Sequence, residues 1–113
     1  MTKDTTPVIV GAAQYTHRKD EDNKLDPLSL MEKTGRMALS EVDADDIHED
    51  VDSIYMVNIN SWSYKDAPAE LGKFLGIRPA HKVYLADGGD SPQKLVNRAC
   101  KDISRGMCEA ILI

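Results

Sequence analysis

The residues best suited to chemistry in this chain of 113 residues form the segment DGGDSP, residues 87–92. Its two glycines let the backbone approach a ligand closely. Ser91-Pro92 has the pattern of a helix start, with serine as the N-cap and proline in the first turn. Amides at a helix N-terminus favour negative charge. The segment therefore suits an acyl-transfer site or a phosphate site, and the alternative is a plain strand-to-helix turn capped by Ser91.

Asp90 and Ser91 are the candidate catalytic residues of this segment. A serine nucleophile needs a base to take its proton. The chain has three histidines. His81 falls at the far end of the preceding strand, and nothing in the sequence places His17 or His48 near Ser91. Asp87 and Asp90 could act as acid or base if burial shifted their pKa. They could equally favour the helix dipole from the turn.

The cysteines and the acidic segment of the chain do not predict a metal site. Cys100 and Cys108 are expected to be reduced, buried structural residues, because a metal would need more ligands at closer spacing. Six of the ten residues 43–52 are acidic and His48 lies among them. A cation site is one interpretation of this segment, but it lacks the spacing and the turn glycine of a calcium loop, which favours a solvated connector.

The composition of the chain bounds its partners and location. The formal net charge is -5, which argues against a nucleic-acid binder because a phosphate-binding surface needs clustered Lys and Arg. No apolar stretch reaches the length of a membrane span. The N-terminus lacks the basic flank and long apolar core of a secretion signal. We therefore expect a cytoplasmic protein.

Strands and helices are predicted to alternate along the chain. The predicted strands are 7–15, 53–59, 81–86 and one opening with EAILI near the end; the predicted helices start at Asp26-Pro27, Asp66 and Ser91-Pro92. This βαβαβαβ order predicts an α/β fold with a mostly parallel sheet, whose ligands bind at the carboxyl ends of the strands. Gly35 in the first helix suggests close packing. Trp62 and Tyr64, in a loop, either line a groove or pack onto the domain.

Three segments carry a resemblance to a known family: PVIVGAAQY, DPLSLMEKTGRMAL and GGDSPQKLVNRACKDISRGMCEAILI. They resemble the N-terminal segment of a thiolase-like protein, in the branch labelled acetyl-CoA acetyltransferase and related to sterol-carrier-protein thiolases. The likeness runs from about residue 7 to residue 113, and its first and last segments are the more specific. It implies the βαβαβαβ portion of the N-terminal half of a thiolase fold, so residues 1–113 would form an incomplete domain without the second half.

The resemblance implies acyl-CoA thioesters as substrates, handled by acyl transfer or carbon–carbon bond chemistry, with no covalently bound cofactor. Thiolases carry a nucleophilic cysteine before the third helix. Placing the helix-ending glycine of the family on Gly106 puts that position at Gly89, or at Asp90 if the register slips by one. Cys100 falls about 15 Å further along the helix. A covalent acyl-enzyme at this turn is therefore not expected, and whether the protein is an enzyme stays open.

Two alternatives to thiolase activity follow from the missing thiol. One is an aldolase-type enzyme that acts on acyl-CoA through oxyanion stabilisation and a general base. The other is a non-catalytic CoA- or acyl-CoA-binding protein or partner subunit. The family resemblance implies a homodimer or a small OB-fold protein as possible partners.

Overall fold

A parallel sheet flanked by helices organises the structure, a computed structural model that describes residues 5–18, 25–42 and 46–113. In chain order, the elements of these residues are α1 (Pro27–Ser40), α2 (Ile47–Asp50), β1 (Ser53–Val57), α3 (Ala67–Leu75), β2 (His81–Leu85), α4 (Ser91–Ser104) and β3 (Ile111–Leu112). The strand order is β2-β1-β3, and both pairings are parallel. The predicted α/β class with a mostly parallel sheet is confirmed.

Strand β1 lies at the centre of the sheet and is buried on both faces, as expected for a parallel sheet covered by helices. Ile54 and Met56 point to one side, where they pack in a core with residues of α1 and α3. Tyr55 points to the other side, where it packs with Leu95 and Ala99 of α4. The sheet is thus the middle of three layers, and α4 covers one face alone.

The helix boundaries follow the capping residues of the sequence. Pro27 opens α1, and the carboxylate of Asp66 accepts a hydrogen bond from the Ala69 amide at the start of α3. Gly76 ends α3 with φ of 72°, a left-handed conformation that favours glycine. Gly35 is buried, and a Cβ there would lie 3.1 Å from Leu75 Cδ1. The predicted close packing at Gly35 is therefore confirmed.

The predicted strand over residues 7–15 is wrong in this structure, which assigns no strand to that segment. Val8, Ile9 and Val10 are 65%, 86% and 60% exposed. The segment lies beside α1 instead, since a Cβ on Gly11 would be 2.4 Å from the Ala38 carbonyl oxygen. An apolar run becomes a strand only when another strand offers it a hydrogen-bonded ladder, and none of the described residues does.

The acidic connector of the sequence contains one turn of helix that the sequence analysis did not predict. Ile47–Asp50 form α2, and Asp46 and Glu49 are exposed. Residues 43–45 lie outside the described part of the chain. Among the residues that are described, no group of three or more His, Cys, Asp or Glu side chains could hold a metal ion.

Candidate functional site

Polar side chains from two neighbouring strands meet at the carboxyl ends of β1 and β2. Asn58 and Asn60 follow β1, and Asp87 follows β2. The Asn60 amide donates to Asp87 Oδ2 at 3.0 Å, and the Asn58 amide lies 3.4 Å from Asp87 Oδ1. The Asn58 backbone amide also donates to the Leu85 carbonyl at 2.8 Å, which extends the ladder to this point. The three side chains form a corner where ligands of parallel sheets bind.

Hydrogen bonds at this corner stabilise the negative charge of the Asp87 carboxylate. Donation from the Asn60 side chain, and then from Asn58, lowers the pKa of Asp87 below its ordinary value. Asp87 is exposed, so solvent also stabilises its ionised form. The carboxylate is therefore a weak base, better suited to fixing the turn or accepting a hydrogen bond than to abstracting a proton.

Ser91 stabilises the turn between β2 and α4 through two hydrogen bonds. This residue is 3% exposed, and its hydroxyl donates to the Ala86 carbonyl at 2.7 Å while its amide donates to the Gly88 carbonyl at 3.1 Å. The N-cap of α4 is Asp90, and Ser91 is the first helical residue. The predicted assignment of Ser91 as the cap is therefore wrong by one residue, because its hydroxyl donates back to the Ala86 carbonyl and does not accept from an amide of the helix.

Gly89 and Asp90 face open space at the start of α4. A Cβ built on Gly89 would meet no atom within 4 Å, and its φ is not in the left-handed region. The Asp90 side chain is exposed and lies 3.2 Å from Lys94 Nζ. Within the described residues, the amides of Gly88, Gly89 and Asp90 find no hydrogen-bond acceptor. The turn therefore presents unpaired amides to solvent at a helix N-terminus.

Neither cysteine lies in this turn. Cys108 is 4% exposed, as predicted, and its sulfur lies 3.1 Å from Ser53 Oγ and 3.6 Å from Tyr55 Oη. Cys100 is exposed on α4, so its predicted burial is wrong. Cys100 lies at the edge of the apolar stripe of α4. Because only one side of α4 is covered by the sheet, its side chain is left exposed.

The aromatic loop residues divide between packing and exposure. The Tyr64 hydroxyl donates to Asp26 Oδ2 at 2.5 Å and accepts from the Leu28 amide at 3.3 Å, which fixes the loop to the start of α1. Hydrogen bonds from Ser29 and Tyr64 lower the pKa of Asp26, and burial followed by the bond to Asp26 raises that of Tyr64. Trp62 stacks on Tyr64 at 6.5 Å between ring centroids and is 56% exposed.

Residues 5–18, 25–42 and 46–113 include no helix with the length and apolar character needed to cross a bilayer.

Comparison with known proteins identifies the fold to which this geometry belongs. No protein-family model matches the chain, and the search of curated proteins gave no match. Among solved structures, a monomeric SCP2-thiolase-like protein type 1 (STLP1) from Mycobacterium smegmatis matches with a TM-score of 0.84 and 26% identity. The match covers 98% of this chain and 23% of that one.

This chain has the fold of part of a thiolase-like protein. The predicted resemblance to a thiolase-like protein is confirmed, and so is a parallel α/β portion of that fold, here with three strands and without the predicted strand over residues 7–15. The thiolase-like chain spans about a quarter of the length of STLP1. STLP1 is described as monomeric, whereas the homodimer and the OB-fold partner expected for the present chain remain predictions.

The structure thus brings Asp87, Gly89, Asp90 and Ser91 together in one turn of the thiolase-like chain, as expected from their sequence. Asn58 and Asn60 were missed as members of the site. The signal was present, since polar residues follow both β1 and β2, and parallel neighbours end at the same edge of a sheet. His81 opens β2, at the end of that strand opposite the turn, as predicted.

Proposed function

We propose that this protein binds acyl-CoA thioesters at the turn of residues 87–91 without forming a covalent acyl-enzyme there. The observation that carries the proposal is the turn itself. The amides of Gly88, Gly89 and Asp90 have no acceptor among the described residues, a Cβ on Gly89 would meet no atom within 4 Å, and no cysteine lies in the turn. Amides in this position stabilise a carbonyl oxygen that gains negative charge.

Open space over Gly89 supports access of a ligand to these amides. No atom lies within 4 Å of a Cβ placed at this residue, so a thioester oxygen can approach the backbone. Asn58, Asn60 and Asp87 border the same corner and supply amide donors and a carboxylate acceptor. This set of groups fits a polar carbonyl compound better than an apolar ligand.

A catalytic role for Ser91 or Asp90 has less support than binding. The Ser91 hydroxyl donates a hydrogen bond to the Ala86 carbonyl, so this hydrogen bond would have to break before Ser91 could act as a nucleophile. Asp90 is exposed, and its carboxylate already has Lys94 as an ionic partner at 3.2 Å. We therefore propose that Ser91 and Asp90 shape the turn and help to bind the ligand. If turnover of an acyl-CoA is found, an aldolase-type reaction becomes the better proposal.

Calorimetric titration of the chain with acetyl-CoA and acetoacetyl-CoA tests the proposal. Gly89→Leu fills the open space over the turn and is expected to weaken binding by about tenfold or more, since the ligand loses its approach to the amides. Ser104→Leu is the matched control, because it adds the same side chain at an exposed position at the other end of α4. It should leave the affinity unchanged.

Intact-mass spectrometry of the same mixtures completes the test. We expect no acyl adduct on the peptide of residues 84–98 and no thiolytic cleavage of acetoacetyl-CoA. An acyl group trapped on Ser91 would contradict the non-covalent route. Equal affinity in Gly89→Leu and in the unaltered chain would contradict binding at this turn.

A further inference from the structure

The side chain of Tyr84 reaches from β2 to the loop that follows β1. Its hydroxyl oxygen accepts a hydrogen bond from the Ile59 amide at 2.7 Å. Among the described residues, the backbone bonds between these two strands end one residue earlier, where the Asn58 amide donates to the Leu85 carbonyl. A backbone amide beyond the end of a ladder needs water or a side chain as its acceptor. The Tyr84 hydroxyl is that acceptor for Ile59.

Ile59 lies between the two asparagines of the corner. Its side chain is partly buried and packs against the core shared with α1 and α3, so the core holds its side chain and Tyr84 holds its amide. The residues on either side of it contact each other, since the Asn58 side-chain amide donates to Asn60 Oδ1 at 2.8 Å. Both asparagines also contact Asp87. A shift of the Ile59 backbone would therefore move both donors to this carboxylate.

A second side chain of β2 contacts the other end of the same loop, residues 58–66. Lys82 precedes Tyr84 by two residues, so both project from one face of the strand. Its Nζ lies 2.6 Å from Asp66 Oδ2. Both members of this ion pair are partly exposed, and such pairs are weak. Of these two contacts, the one made by Tyr84 lies at the end of the loop that carries the asparagines.

We propose that Tyr84 is a positioning residue that holds the two asparagines of the corner against Asp87. It acts through the Ile59 amide rather than by contact with a ligand. Its hydroxyl is the single polar group of the side chain, so the hydrogen bond can be removed while the ring is kept. The consequence for ligand affinity rests on the proposed function, whereas the consequence for Asp87 does not.

Carbon-13 NMR of the aspartate carboxylates in Tyr84→Phe tests the positioning directly. Without the hydroxyl, the Ile59 amide loses its acceptor and should exchange its hydrogen faster. The asparagines should then donate to Asp87 less effectively, and the pKa of Asp87 should rise toward its ordinary value. An Asp87 pKa that stays as in the unaltered chain would overturn the proposal.

Tyr64→Phe is the matched control, because it removes the same hydroxyl from another tyrosine that anchors this loop. The Tyr64 hydroxyl donates to Asp26 at the start of α1. In this variant the pKa of Asp26 should rise while that of Asp87 stays unchanged. Equal rises of the Asp87 pKa in both variants would show that any loosening of the loop has this effect, and the assignment to Tyr84 would be wrong. Circular dichroism should show the helices retained in both variants.

Calorimetric titration with acetyl-CoA measures the consequence for the ligand. We expect Tyr84→Phe to weaken the affinity by about three- to tenfold, as for the loss of one hydrogen bond, and Tyr64→Phe to leave it unchanged.

The two measurements separate this proposal from the proposed function. If Tyr84→Phe raises the Asp87 pKa but the unaltered chain does not bind acetyl-CoA, the proposed function fails and the role of Tyr84 at the corner stands. If the unaltered chain binds and Tyr84→Phe binds equally well, the role of Tyr84 in ligand binding is contradicted.

Discussion

Asp87 shows how single side chains define the corner at the sheet edge. Its carboxylate takes one hydrogen bond from Asn60 and one from Asn58, and each bond favours the ionised form. The corner therefore stays negative to a lower pH than an isolated aspartate would allow. An acceptor of fixed charge can orient the polar groups of a ligand without taking part in proton transfer.

Removing one hydrogen-bond donor should raise the pKa of the Asp87 carboxylate. In Asn60→Ala, the pKa of Asp87 is predicted to rise toward its ordinary value, because the largest cause of its lowering is lost. The carboxylate titration is followed by carbon-13 NMR. Asn97→Ala is the control, since this exposed residue bonds to Gln93 on α4. An Asp87 pKa that does not change in Asn60→Ala would show that the corner hydrogen bonds do not form in solution.

The ionisation of the buried Tyr55 links stability to alkaline pH. Burial, followed by the hydrogen bonds to Asp102 and Cys108, raises its pKa far above that of a free tyrosine. Below the ordinary tyrosine pKa of about 10, both states keep the proton and the stabilisation is fully present. As the pH rises above that value, the unfolded chain loses the proton first, so the contribution to stability falls.

Tyr55→Phe should lower the free energy of unfolding by about 1–3 kcal/mol at neutral pH, because the buried Asp102 carboxylate loses its hydroxyl donor. The gap between the two proteins should narrow above a pH of about 10. Urea unfolding at a series of pH values measures both. Tyr84→Phe removes a hydroxyl from an exposed tyrosine and should cost less. A gap that does not depend on alkaline pH would contradict the ionisation argument.

At the scale of the elements, a glycine inside α3 and a glycine in the turn before α4 differ in the space around them. A Cβ on Gly72 of α3 would lie 2.6 Å from the Ile77 carbonyl oxygen and 3.1 Å from Pro79 Cδ. A Cβ on Gly89 would contact nothing. Glycine is thus needed at position 72, where the chain that follows α3 packs against the helix. The turn before α4 does not require glycine at position 89.

Alanine substitutions should separate these cases. Gly72→Ala is expected to lower the free energy of unfolding by about 1–3 kcal/mol, because backbone atoms must shift. Gly89→Ala should leave it unchanged or raise it by up to about 1 kcal/mol through reduced freedom of the unfolded chain. Denaturant unfolding followed by circular dichroism gives both values. Strong destabilisation by Gly89→Ala would show that the turn has a different conformation.

Sequence reasoning succeeded where the determinants are local. Proline at helix starts, Asp66 as a cap and Gly76 as a stop fixed α1 and α3 nearly to the residue. It failed where the determinants lie elsewhere in the fold. The run at residues 7–15 has strand composition, but composition does not say whether a neighbouring strand is present. Asn58 and Asn60 meet Asp87 only because two parallel strands end at the same edge of the sheet.

At the scale of the whole molecule, the sheet has one buried centre and one apolar segment left outside it. Ile54 of β1 is 1% exposed, whereas Ile9 is 86% exposed. The two isoleucines therefore contribute very differently to folding, because apolar stabilisation depends on the area removed from water.

Substitution at these two isoleucines tests the layered architecture. Ile9→Lys should change the free energy of unfolding by no more than about 0.5 kcal/mol, as for surface sites. Ile54→Ala should cost about 2–5 kcal/mol through lost burial and a cavity. Thermal or urea unfolding decides the comparison. A loss for Ile9→Lys close to that for Ile54→Ala would place residues 7–15 in the core.

Proton–nitrogen NMR during titration with acetyl-CoA is the most direct test of the central claim, that this thiolase-like chain receives a thioester on the amides of its β2–α4 turn. We predict saturable shifts centred on the amides of Gly88, Gly89 and Asp90, which disappear in Gly89→Leu and persist in Ser104→Leu. Shifts confined to other parts of the chain, or none at ligand saturation, would contradict the claim.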